Sequence, residues 1–296
     1  MMLFSVISRL AERWLMREIK QPDTSLCDFE RIRHELKSCD VLLIEGRSRV
    51  SKIIQYLTQS NWTHSALYIG RIYDIENIQL RSTIRAYYDG PEEEQLIIES
   101  ELGLGTVVRP LKNYKKEHIR ICRPKNLGHN DGEQIITYAA SQLGKKYSAR
   151  QAFDLMRFFF PYKALPPRLG SSLFKFKPGN ATKTVCSSMI AEAFYFIQYP
   201  ILPLVKSTGE DNKVKLYQRN PKLCTPKDFD YSPYFEIIKY PFFDCSHYYG
   251  SYKLLPWGND EQQLQAEENY LYITQEQIEE LKNANNSSVL LPKEKS

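Results

Sequence analysis

Between residues 40 and 122 the chain alternates short apolar runs with polar breaks. The runs are DVLLIEG, SALYIGR, QLIIES, GTVVRPL and HIRICRP. Short segments rich in Val, Ile and Leu, closed by Gly, Pro or charge, predict β-strands. Their close spacing predicts an antiparallel sheet of four or five strands. The polar stretch DGPEEEQ (89–95) reads as a solvated loop between two of them.

On either side the period becomes helical. Residues 3–20 carry apolar side chains at 3, 4, 6, 7, 10, 11, 14 and 15, with Arg9, Arg13 and Arg17 on the opposite face. Such a helix suits either packing on its own domain or lying against a membrane surface or partner. A second helix is expected over about 132–143, with Ile135, Ile136, Ala139, Ala140 and Leu143 in one stripe. Asp131 can cap it, Gln134 falls three residues later, and Gly144 fits its end. CSSMIAEAFYFIQ (186–198) is the next helix, with Met189, Ile190, Ala193, Phe194 and Ile197 on one face and Pro200 and Pro203 beyond it.

Past residue 205 the pattern weakens. TPKDFDYSPYFEII predicts a capped turn or short helix leading into a strand. TQEQIEELKNA predicts a surface helix capped by Thr274, followed by a frayed end.

Composition narrows the class. The 296 residues carry a net charge of only +5 and no nucleic-acid recognition motif, so no nucleic-acid partner is expected. Six cysteines (27, 39, 122, 186, 224, 245) show no C-x-x-C framework, which predicts reduced thiols. Five histidines (34, 64, 118, 129, 247) lie far apart, so neither a metal nor another cofactor is expected. There is no apolar run long enough to span a bilayer, and the N-terminal apolar run breaks at Arg9 without a cleavage site. These features suggest a cytoplasmic location, with peripheral membrane contact left open.

The candidate chemistry begins at Cys186. It stands in the first turn of a predicted helix, where free backbone N–H groups and the helix dipole favour an anion. Thr184, Ser187 and Ser188 around it are small and polar, unlike a core stripe. A small buried cysteine is the alternative. A thiolate nucleophile needs a base, and the base needs an orienting partner. His64 opens the apolar strand SALYIG, and Glu99 ends LIIES, a strand able to pair beside it. A carboxylate there can fix the tautomer of the imidazole.

Taken together, CDVLLIEG, WTHSALYIG, LIIES, LGKKYS, VCSSMIAEAF and TPKDFDYSPYFEII resemble the permuted papain-fold amidases. These are the YiiX and YaeF-like members of the NlpC-related cysteine peptidase superfamily. The resemblance covers roughly residues 38–240. It implies a circularly permuted papain-like α+β fold, in which an antiparallel sheet packs against helices including the cysteine helix. It also implies Cys186 as nucleophile, His64 as base and Glu99 as orienting residue. Tyr147, in LGKKYS, would be a cleft residue that helps bind substrate or oxyanion, and Ser187 is also expected to bind substrate. The glycine common before the first-strand aspartate is Cys39 here, a change that concerns a turn.

The organisation expected is a lead-in with amphipathic helix over 1–37, a catalytic domain over 38–240 and an extension over 241–296. Inside the catalytic domain, 155–183 is a long insertion. Residues 155–191 contain no acid but six basic residues, interleaved with Phe158, Phe159, Phe160, Tyr162, Phe174 and Phe176. This is either an ordinary packed insertion or a cationic aromatic lip suited to a lipid headgroup or membrane surface. The expected reaction is thiol-dependent hydrolysis of an amide or ester in a small molecule, peptide or lipid, with membrane contact through 3–20 and 157–183. Transfer of the acyl group to an amine or alcohol is the first alternative. A non-catalytic membrane-binding or interaction module on the same scaffold is the second.

Overall fold

The strands at the centre of the molecule are buried on both faces, which explains why their sequences are continuous apolar runs rather than alternations. The computed structural model describes residues 27–101, 104–145, 186–208 and 213–240. The main sheet comprises β1 (Val41–Glu45), β2 (His64–Gly70), β3 (Leu96–Glu101), β4 (Gly105–Pro110), β5 (His118–Pro124) and the later strand Phe235–Ile238. Their order across the sheet is β4-β3-β2-β1-β5 and then the late strand, and all neighbours are antiparallel. All five strands expected between 40 and 122 are present. The sixth is the FEII run, which pairs with β5 at the edge.

Each face covers a separate apolar cluster. On one, Leu43, Leu67, Ile69 and Ile98 meet Ile135, Ala139, Met189, Ile190 and Phe194. On the other, Leu42, Ile44, Ala66, Ile97 and Ile121 meet Phe29 and Ile32 of helix α1 (Phe29–Glu35). Two more helices connect the strands: α2 (Arg49–Thr58) between β1 and β2, and α3 (Ile78–Arg85) between β2 and β3. The acidic loop 89–95 leads into β3 as expected, but α3 also lies in that connection.

Helix α4 (His129–Ser141) starts three residues before the expected position. Its N-cap is Gly128, not Asp131, which sits in the first turn where its charge favours the dipole. Gly144 follows with φ of 75°, and its N–H donates to the Thr106 carbonyl at 3.0 Å. That positive φ is one a glycine adopts without strain. Helix α5 (Cys186–Phe196) packs on α4 and on β2 and β3. Strands β6 (Leu204–Thr208) and β7 (Lys213–Tyr217) form a separate antiparallel hairpin. Helix α6 (Pro226–Tyr231) begins with a reciprocal cap between Thr225 and Asp228, and β8 is the edge strand Phe235–Ile238.

At one end of the sheet Arg123 grips Asp40 through both carboxylate oxygens, at 3.0 and 2.8 Å, and reaches Glu35 at 2.7 Å. Asp40 is fully buried and takes a further bond from the Lys37 N–H at 2.8 Å. This network ties α1, the start of β1 and the end of β5 together. The N-terminal helix over 3–20, the insertion 155–183 and the helix from Thr274 lie outside the described residues.

Candidate active site

The opposite end of the sheet holds the chemistry. β2 begins at His64, directly after Thr63, whose N–H donates to the Ile44 carbonyl of β1 at 3.1 Å. β2 pairs with β3 in the register Ala66 to Glu99, so Glu99 lies one diagonal step from His64 on the same face of the sheet. His64 Nε2 and Glu99 Oε2 are 2.6 Å apart. Tyr114 ends a 3-10 turn (Leu111–Tyr114) that follows β4, and its Oη donates to the same Glu99 Oε2 at 2.6 Å. Its ring lies near-parallel to the imidazole, with centroids 6.1 Å apart and planes at 28°. The Glu99 side chain is 1% exposed, whereas His64 is 20% exposed.

Burial alone raises the Glu99 carboxyl, yet the hydrogen bond and charge of His64, then Tyr114 and Arg109, hold it below its ordinary value. Arg109 itself is paired with Glu101 at 3.0 Å. Glu99 is therefore a carboxylate with an imidazole on one oxygen.

Cys186 is the first residue of α5 and is 6% exposed. Burial disfavours its thiolate, but the charge of His64, a hydrogen bond to it and the Ser65 backbone and hydroxyl prevail, and the thiol is lowered. Burial likewise opposes the imidazolium of His64, but the Cys186 charge, its hydrogen bond and Glu99 raise it well above the ordinary value. An imidazole has two nitrogens. Glu99 holds Nε2, so Nδ1 is the one left for the sulfur. His64 and Ser65 are consecutive on a strand, so their side chains leave on opposite faces. Interaction with both puts the Cys186 sulfur at the beginning of β2, where the two faces meet.

Three other cysteines behave differently. Burial pushes Cys39 up to about 12, and it also raises Cys122 and Cys224. A thiol raised in this way is an inert core group. The Cys186–His64–Glu99 chain instead favours a thiolate–imidazolium pair oriented by a carboxylate, an arrangement suited to attack on a carbonyl.

Cys186, His64 and Glu99, named from sequence, are thus brought together. Ser187 is different: its side chain is buried and its hydroxyl donates to the Cys224 carbonyl at 2.6 Å. It fastens the start of α5 to the segment before α6, and its hydroxyl is not presented to a substrate. Tyr147 lies outside the described residues. Two contributors escaped the sequence reading. Tyr114 is carried by a short turn without periodicity, and Ser65 sits in an apolar run where it reads as filler. Ser65 is buried, and its backbone and hydroxyl favour the Cys186 thiolate. Among the described residues no three His, Cys, Asp or Glu side chains gather as a metal site requires, and no helix is long and apolar enough to cross a membrane.

Comparison with known proteins bears out the resemblance read from the sequence. A family model described as permuted papain-like amidase enzyme, YaeF/YiiX, C92 family, matches residues 35–157. The match takes in His64 and Glu99 and ends before Cys186. Among solved structures, the crystal structure of the metalloprotein YiiX from Escherichia coli O157:H7 is similar, with a TM-score of 0.42. The identity is 14%, over 69% of this chain and 97% of that one. No curated protein sequence matches the chain. The described residues form an α+β fold with helices packed on an antiparallel sheet. Residues 35–157 are similar to the permuted papain-like amidases, and that match supports an amidase-type hydrolase.

Proposed function

We propose that the chain is a cysteine hydrolase that cleaves an amide or ester bond through an acyl-enzyme. The observation that carries this reading is the continuous Cys186–His64–Glu99 interaction, with the thiol lowered and the imidazole raised. The Cys186 thiolate attacks the substrate carbonyl carbon, and the carbonyl π-electrons move onto oxygen. The N–H groups in the first turn of α5 are donors suited to that oxyanion. Collapse of the intermediate expels the leaving amine or alcohol, which takes the proton from His64. Neutral His64 then accepts a proton from water as it attacks the thioester, and release of the acid restores the thiolate–imidazolium pair. Glu99 stays ionised throughout, holding Nε2–H and therefore the tautomer.

Within this reading, residues 38–240 form the catalytic domain and Tyr147 borders its cleft. The basic, aromatic composition of 155–183 favours an acyl substrate carrying a lipid or presented at an anionic membrane surface.

The test uses a panel of chromogenic amides and esters with short and long acyl chains. The expected result is release that disappears in Cys186→Ala, with a thioester adduct on Cys186 in the wild type by intact and peptide mass spectrometry. Release that persists in Cys186→Ala contradicts the reading.

A further inference from the structure

We propose that Tyr114 is a positioning residue for this site, setting the orientation of Glu99 and, through it, the basicity of His64; the inference rests on the Cys186–His64–Glu99 reading. Glu99 Oε2 receives both His64 Nε2 and Tyr114 Oη at 2.6 Å, while Oε1 is buried with no hydrogen-bond partner. The terminal torsion of a glutamate is broad and two-fold, so a single donor leaves the carboxylate free to swap oxygens. Two donors converging on one oxygen remove that freedom. The Tyr114 ring also lies along the imidazole, so one residue limits both members of the pair.

Tyr114 is held for this purpose. Leu111, at the head of its turn, is 1% exposed and its N–H donates to the Gln95 carbonyl at 2.8 Å. Burial first, and the Glu99 charge second, push the phenol far up, so it remains a neutral donor over the whole working range. The other ionisable groups facing the cluster are Cys186 of α5, Glu101 of β3 and Arg109 of β4.

Sharing has an electrostatic consequence. Donation from Tyr114 draws electron density from Oε2 and stabilises the Glu99 charge, which limits how strongly Glu99 holds a proton and how strongly it favours imidazolium. Removing the phenol hydroxyl therefore raises the proton affinity of both groups. A packing role alone predicts no such change.

The experiment is the rate of Cys186 alkylation by iodoacetate against pH, read by peptide mass spectrometry, in wild type, Tyr114→Phe and Glu99→Gln. Iodoacetate is an anion drawn in by the imidazolium, so the rate falls once His64 loses its proton. In the wild type the reactive window is expected to open below the free-thiol range. Tyr114→Phe is expected to move both limbs of that window to higher pH by about one unit, the scale of a lost hydrogen bond to a charge. Glu99→Gln is expected to move the alkaline limb the other way, because an uncharged amide no longer supports imidazolium. Placing 3-fluorotyrosine at 114 keeps the shape and strengthens donation, so both limbs should move down, and it serves if Tyr114→Phe does not fold. Tyr114→Phe or 3-fluorotyrosine profiles that overlay a wild-type window overturn the proposal and leave the nucleophile assignment standing. A wild type with no low-pH window overturns the nucleophile assignment itself, and the proposal with it.

Discussion

Two carboxylates are buried at opposite ends of the same sheet, and they are built differently. Asp40 has both oxygens occupied by Arg123, a cation that never titrates near neutrality, with the Lys37 amide added. Glu99 has one oxygen taken by a histidine and a tyrosine, and the other left without a partner. The first arrangement is closed: every lone pair in use is met by a fixed charge or an amide. The second is open to change, since its partner His64 gains and loses a proton and touches a thiol. What separates a structural ion pair from a chemical one here is the titratability of the partner, not burial, which the two share.

The largest effect that should break this comparison is at His64. His64→Ala should lower turnover of any substrate found by about a thousandfold or more. It should cost stability as well, because the buried Glu99 loses the imidazole on its Oε2, so turnover is the readout that separates the two ends.

At the other end the pattern should invert. Arg123→Met leaves Asp40 and Glu35 without their cation, and removing one partner of a buried pair typically costs about 3–5 kcal/mol. Denaturant titration should show that loss, while Cys186 in the protein that remains folded keeps its reactivity. A smaller change, Thr225→Ala, removes the cap of α6 and should cost about 1 kcal/mol, with no effect on the pH profile.

The pH dependence of the site carries its own sign. Glu99 is lowered when folded, so its contribution to stability is present above the unfolded carboxyl value and fades as pH falls through the folded one. His64 is raised, so its contribution is complete below about 6.5 and fades as pH rises through its folded value. Turnover should therefore follow a bell whose acid limb reports Cys186 deprotonation and whose alkaline limb reports His64.

What the sequence disclosed follows the same physics. β1 to β3 were legible because they are buried on both faces and so read as nearly continuous apolar runs. β4 and β5, only partly buried, were legible through Val and Ile residues set between Gly, Pro and charged positions. The cysteine helix was legible through Met189, Ile190 and Phe194, all fully buried. Helix α1 was not, because only Phe29 and Ile32 among its seven residues are buried. The β6–β7 hairpin escaped because its apolar residues, Leu204, Val205, Val214 and Leu216, are exposed and interleaved with lysines. At the site, the contact among Cys186, His64 and Glu99 was legible in their residue types and in their places along the helix and strands. Ser187 misled, since a polar residue beside a nucleophile reads as cleft lining while its hydroxyl is spent on the Cys224 carbonyl. Tyr114 gave no warning at all: its contact with Glu99 depends on how the chain turns after β4, and no local periodicity encodes that.

The central claim is that Cys186 is a thiolate held by His64. The measurement that tests it most directly is the pH dependence of Cys186 alkylation in wild type and His64→Ala, with the other five cysteines followed as internal references by peptide mass spectrometry. The account predicts that Cys186 reacts well below the free-thiol value of about 8.5, outpaces the other cysteines, and loses that lead without His64. A Cys186 that titrates like an ordinary thiol in both proteins contradicts it.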